Sequence, residues 1–237
     1  MTFHPVAVAD LERLMFDVVR EPKLAAERAK EGTANKARVA EIADILGRFA
    51  DFMADDDDSE VGATFGFGAA ALAGFRHPYW YARGSALSFL TKLPVAFVSI
   101  NELSNGLFEK LSGADGTRIG TNYTASGVIL PENLAALAAW LDAPKNAKTI
   151  AKVFDADGLD SLRRAIAYAR EHGLGLMEAA DIVVPMSGEG FSDPDNLRAH
   201  FLKHLEPAAK AKAKAKAKPK AKAKPKPKAK PKKRSAR

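Results

Sequence analysis

The chain has 237 residues, no cysteine, 47% hydrophobic residues and a formal net charge of +7. The missing thiols exclude disulfides, thiolate nucleophiles and Cys-based zinc sites, while the apolar content suffices for a buried core. The charge is divided unevenly: of 36 basic residues, 15 fall in the 28 positions from Lys210 onward, which hold no acid, so residues 1–209 carry 21 basic against 29 acidic groups, a net of −8.

The opening segment, MTFHPVAVADLE, has no basic n-region and meets Asp10 and Glu12 early, so it does not read as a secretory signal. Residues 10–20 read as an amphipathic helix, with Leu11, Leu14, Met15, Val18 and Val19 on one face and Asp10 as N-cap. Pro22 suits the first position of a second helix reaching about Glu31, which Gly32 ends. A third runs from about Ala34 to Met53, with Val39, Ile42, Leu46 and Phe49 along one side. The run Asp55-Asp56-Asp57-Asp58-Ser59-Glu60 follows. Clustered carboxylates can hold a hard cation, but the calcium-loop spacing is absent and a solvated loop is the plainer reading.

Residues 61–101 hold the most apolar stretch, interrupted by Arg76, Arg83 and Lys92, so no run is long and greasy enough to span a membrane. Gly66-Phe67-Gly68-Ala69-Ala70-Ala71 fits GxGxxA in form, after a possible short strand at Val61–Phe65. A dinucleotide site also needs an acid about twenty residues on, which is missing, so a tightly packed small-residue helix is expected. His77-Pro78-Tyr79-Trp80-Tyr81 could stack a planar ligand or form a core edge. Val95–Ile100 reads as a strand, as do Arg118–Tyr123 and Gly127–Leu130 beside the Asp115-Gly116 turn.

Pro131 opens a helix with Leu134, Leu137, Ala138 and Leu141 on one face, stopped at Asp142-Ala143-Pro144. Lys145–Phe154 is expected to be helical and Asp155-Ala156-Asp157-Gly158 to be a turn. Asp160–His172 is the best-defined helix, with Leu162, Ile166 and Ala169 inward, Arg163, Arg164 and Arg170 outward, and Gly173 ending it. Met177–Val184 is expected to be a final strand, closed by Pro185. Beyond the Gly188-Glu189-Gly190 loop, Asp193 caps a last helix over Pro194–Glu206.

The segment that follows alternates Lys with Ala and Pro. Like charges at i,i+4, four prolines and no large apolar side chain leave nothing to offset the entropy of ordering, so it is expected to be disordered. Extended, it would reach about 90 Å. Its cations are Lys210, Lys212, Lys214, Lys216, Lys218, Lys220, Lys222, Lys224, Lys226, Lys228, Lys230, Lys232, Lys233, Arg234 and Arg237. Phosphates are the natural counter-charge, because neutralising them releases condensed counterions without any base contact. The stretch Lys210 to Lys233, KAKAKAKAKPKAKAKPKPKAKPKK, resembles the basic tails of linker histones and of histone-like bacterial nucleoid proteins. The resemblance covers about a tenth of the chain and implies non-specific DNA binding or compaction. Pro231-Lys232-Lys233-Arg234 would also serve nuclear import in a eukaryote.

Motifs for catalysis are missing: there is no GxSxG, HExxH or P-loop, and neither Ser126 nor Ser187 sits in a nucleophile elbow. His200 and His204, at i,i+4, have zinc-ligand spacing if Asp195 or Glu189 joined them, but they equally suit a helix C-terminus. No metal site, cofactor or catalytic residue is therefore assigned. The expected architecture is a helix-dominated α+β domain with a small mixed or antiparallel sheet over residues 1–206, then a disordered basic tail over 207–237. The expected function is a non-enzymatic binding protein, tethered to nucleic acid or another polyanion by its tail while the body engages a partner or ligand, in the cytoplasm and nucleoid-associated. The alternatives are an immunity-type or adaptor protein with an accessory tail, and an enzyme whose site is assembled from dispersed residues. The Asp55–Asp58 run would compete with an external polyanion for the tail, so changing these residues to Asn should tighten DNA binding in a filter or anisotropy titration; unchanged or weaker binding would refute the competition.

Overall fold

A computed structural model of the chain describes residues 1–32, 68–70, 72–74, 76–107, 116–120, 124–180 and 191–192, all within Met1–His200, the first of its two units. The first strand is one that the sequence disguises. Thr2–Val6 (β1, TFHPV) is buried at every position, although Pro5 lacks the amide a central strand needs. The register shows why it fits. Pro5 lies opposite Leu176, and the Leu176 amide and carbonyl both bond outward to Ile129 at 2.9 and 2.8 Å. Pro5 therefore sits at a non-hydrogen-bonded pair, with its nitrogen turned the other way. On that side Tyr79–Tyr81 (β2) pairs only with Thr2 and Phe3, so no ladder bond is lost.

The sheet is antiparallel, with β1 between β2 and Gly175–Ala179 (β3), and Phe191–Ser192 (β4) outside β2. Pairing continues past β3 as single bridges, Ala125 to Ala179, Ile129 to Leu176, and Val98 to Val128. The fold is thus α+β and helix-dominated, and the sheet is not mixed.

Val8–Leu11 (α1) and Asp17–Arg20 (α2) are joined by a π-wound stretch, Glu12–Phe16. The expected face is buried through Leu11, Leu14, Met15 and Val18, and Phe16 joins it. The cap differs: the helix begins after Ala7 with no side-chain cap, and Asp10 instead accepts from Arg76 Nε at 2.6 Å. Pro22 takes the first position of a 3-10 turn, Pro22–Leu24, leading into Ala25–Gly32 (α3). Of the GxGxxA stretch, 68–70 are helical and buried, which leaves no open phosphate loop at Gly68; Gly66, Phe67 and Ala71 lie outside the described residues. So do the expected helices at 34–53 and 194–206, the strand at 61–65 and the acidic run at 55–60.

The strand expected over Val95–Ile100 shrinks to the Val98 bridge, because Ser99 accepts from the Glu102 amide at 3.1 Å and starts Ile100–Leu103 (α4). Arg118–Gly120 is not a strand, and 121–123 lie outside the described residues. Pro131 begins a 3-10 turn that enters Leu134–Asp142 (α5), with Leu134, Leu137 and Leu141 buried. Pro144–Asn146, a 3-10 turn, and Ala147–Ile150 (α6) make only part of the expected Lys145–Phe154 helix α-helical, and the run ends in hydrogen-bonded turns over 151–153.

Asp155-Ala156-Asp157-Gly158 is not a turn but the start of Ala156–Glu171 (α7): Asp155 caps it, accepting from the Gly158 amide at 2.7 Å. The helix ends as its sequence predicts. Gly173 has φ +65°, and the Leu174 and Gly173 amides return to the Ala169 and Arg170 carbonyls, at 2.8 and 3.4 Å. The chain then runs directly into β3, two residues earlier than expected, and 181–184 lie outside the described residues.

One face of α7 closes the core. Leu162, Ala165, Ile166 and Ala169 pack with Phe3, Trp80 and Leu176 of the sheet and with Leu134, Leu137 and Leu141 of α5. A fully buried leucine of this kind contributes about 1.5–3 kcal/mol by transfer from water. The outer bridges leave no room for side chains at two glycines. A Cβ on Gly127 would come within 2.3 Å of the Val98 carbonyl oxygen, and one on Gly175 within 2.8 Å of that of Ile129. Gly127→Ala should therefore lower the urea-unfolding free energy by about 1–3 kcal/mol; an unchanged midpoint would refute the close approach.

Candidate functional site

Three groups of polar side chains stand out against this frame. The first is internal. The Glu178 side chain is buried beside the 3-10 turn Leu87–Phe89, where its two carboxyl oxygens accept from the Leu87 and Ser88 amides at 2.6 and 2.9 Å. Burial pushes its pKa up, against these hydrogen bonds, which pull it down. Ser126, flanked by small residues, is no nucleophile: it is buried, its hydroxyl donates to the Gly127 carbonyl at 2.8 Å, and the same oxygen accepts the Glu178 amide at 3.0 Å.

Glu178 stands opposite Phe3, and His4 is the next residue along β1, so the two side chains leave the sheet on opposite faces. His4 stacks on Tyr79 with ring centroids 4.9 Å apart. The Thr2 hydroxyl donates its one proton to the Ala179 carbonyl at 3.1 Å, so at 2.8 Å it must accept from His4 Nε2–H. That fixes the tautomer and leaves Nδ1 as a bare acceptor, with no hydrogen-bond partner among the described residues. Burial, aided by the nearby terminal ammonium, lowers the His4 pKa to about 3.

The second group lies at the sheet's edge and includes the aromatic cluster. Tyr79 and Trp80 are buried strand residues, so this part is a core edge. Around it, Trp80 lies against Tyr168 with centroids at 5.6 Å, and Tyr168 stacks on His172 at 4.0 Å. His172 Nδ1–H donates to the Tyr168 carbonyl at 2.9 Å. His77 Nε2 is 3.9 Å from Asp10 Oδ2, too far for a hydrogen bond. Burial lowers the His77 pKa, Asp10 raises it, and Arg76 and His172 lower it further.

The third group is on the surface of the α5–α7 layer. The exposed Lys145, Lys148 and Lys152 follow one another along α6 and its flanking turns. A cleft of about 290 Å³ borders this helix, lined by apolar residues including Leu141, Ile150 and Phe154, and by the exposed Asp142–Arg163 ion pair at 2.9 Å.

No group of three His, Asp or Glu side chains able to hold a metal occurs among the described residues. Nor is any helix among them long and apolar enough to cross a membrane. The residues read from sequence as nucleic-acid contacts, Lys210 through Arg237, lie outside the described residues, as do His200, His204, Glu189, Asp195 and Ser187. His4 and Glu178 belong to no motif; their only sequence signal is a single ionisable residue inside an apolar run.

The His4 pKa gives a signed prediction. Its folded value lies below the unfolded one, so its contribution is complete above about pH 6.5 and is lost as pH falls toward 3. By pH 4 the loss should reach about 3 kcal/mol. Urea unfolding of the parent and His4→Gln across pH 7 to 4 should converge by that amount, and parallel curves would refute it. The chain matches no protein-family model, no curated protein and no solved structure.

Proposed function

We propose that the chain is a non-enzymatic binding protein, tethered to nucleic acid by its basic C-terminal segment while the globular body engages a further partner or ligand. The observation that carries the reading is the segregation of charge: 15 basic and no acidic residues from Lys210 to Arg237, against a net of −8 before them. Such a segment binds the polyphosphate backbone through counterion release and carries no base-reading side-chain pattern. Its likeness to linker-histone and nucleoid-protein tails supports the same partner, and it would localise the chain to the nucleoid, or to the nucleus in a eukaryote.

The test is duplex DNA binding by the full-length chain and by a variant ending at residue 206, from 50 to 200 mM salt. With about eight phosphate contacts the full-length affinity should fall by around four orders of magnitude across that range. The truncated variant should lose most of that slope. No binding by the full-length chain at 50 mM, or an undiminished slope in the truncated variant, would overturn the reading.

A further inference from the structure

Some cations of the described surface are matched by acids and others are not. Near the N-terminus most are matched: Arg13 pairs with Glu31, Arg20 with Glu12 and Asp17, Lys23 with Glu21, Arg28 with Asp17 and Glu31, and Arg76 with Asp10. Lys145, Lys148 and Lys152 are exposed and make no ion pair among the described residues. They lie on one helical run: the 3-10 turn Pro144–Asn146, α6, and a last turn in which the Ala151 and Val153 amides bond to the Ala147 and Ile150 carbonyls, both at 2.9 Å.

Spacings of three and four place the three lysines on one side, at about 100° per residue. The opposite side is held by Ile150 and Phe154, both buried, and by the half-buried Val153. The run is thereby clamped to the core by one face and presents a row of unmatched ammonium groups on the other. The row is about 10 Å long. One strand of duplex DNA advances about 3.4 Å per phosphate, so three successive phosphates fall within that length. The nearest acids in sequence are already engaged: Asp142 with Arg163, and Asp155 with the Gly158 amide.

We propose that the Lys145, Lys148 and Lys152 row is a second phosphate-contact surface, which seats the nucleic-acid backbone on the folded body once the C-terminal segment has brought it near. This rests on the nucleic-acid reading above and assigns a place on the body to it. A row that contacts phosphates contributes about 0.9 per lysine to the salt slope.

The experiment is a salt titration of duplex DNA binding by the full-length chain, by the K145Q/K148Q/K152Q variant, and by a charge-matched control, K23Q/K30Q/R83Q, which removes three exposed cations elsewhere on the body. The stripe variant should lose about 2.7 from the magnitude of the slope, with a parallel loss of affinity on duplexes of different sequence, while the control keeps the parent slope. Thermal unfolding should be unchanged, because all three lysines are exposed. An unchanged slope in the stripe variant, or an equal fall in the control, would overturn the proposal and leave the tethering reading standing. No DNA binding by the parent chain would overturn both.

Discussion

The pairing of β1 with β3 is the constraint on which the rest of the body depends. It joins residues 177 positions apart, and every residue of both strands is buried. Closing so long an intervening stretch costs only a logarithmic increment over a short one. Once closed, the two strands give α7 a surface to cover, and Phe3, Trp80 and Leu176 meet its apolar stripe there. The outer bridges through Ile129 and Val128 then add backbone pairing on the far side of β3.

Buried polar groups tie that pairing to a single register. A slip of one residue in β1 would carry Phe3 to the face where His4 stacks on Tyr79, and would bring His4 into the apolar cluster under α7. It would also part the Thr2 hydroxyl from the Ala179 carbonyl. Glu178 acts in the same way on the other face. Its carboxyl oxygens take the Leu87 and Ser88 amides, so the 3-10 turn at Leu87–Phe89 is positioned by β3 across 90 residues of chain. The two groups respond oppositely to pH. His4 must stay neutral as pH falls, whereas the raised Glu178 pKa erodes stability as pH rises above the ordinary carboxyl range.

How much of this is legible in the sequence depends on whether the signal is local. α5, and the inward face and C-terminus of α7, are read correctly because their information lies within themselves: apolar spacing near 3.6, Pro131 at an N-terminus, Gly173 at a C-terminus. β1 and β2 are hidden because their justification lies elsewhere. Pro5 argues against a central strand until the Leu176–Ile129 pairing shows that its nitrogen has no partner to lose, and three residues are too few for β2 to show a period. Val95–Ile100 misleads for the converse reason. Its β-branched composition is real, but the Ser99 hydroxyl captures the Glu102 amide and turns the chain helical. Asp155-Ala156-Asp157-Gly158 looks like a turn and is a helix cap, since the same residue types serve both. The candidate site divides in the same way. The cationic segment is plain from composition, whereas the Lys145, Lys148 and Lys152 row emerges only when the short helix shows which side it buries.

The proposed division of labour follows from what each part can and cannot recognise. A chain of alternating Lys, Ala and Pro offers charge without a base-reading donor pattern, so it raises local concentration on any polyanion and selects none. Selection needs groups held in fixed geometry, which the folded body supplies. There the helical run around α6 is one place where exposed positive charge and a rigid backing coincide, because Ile150 and Phe154 hold it to the core. Lysines spaced by a helix meet phosphates at a set interval. A body that adds even three such contacts converts tethering in the neighbourhood of a duplex into docking in a defined orientation, which is the condition for presenting its other surfaces to a partner.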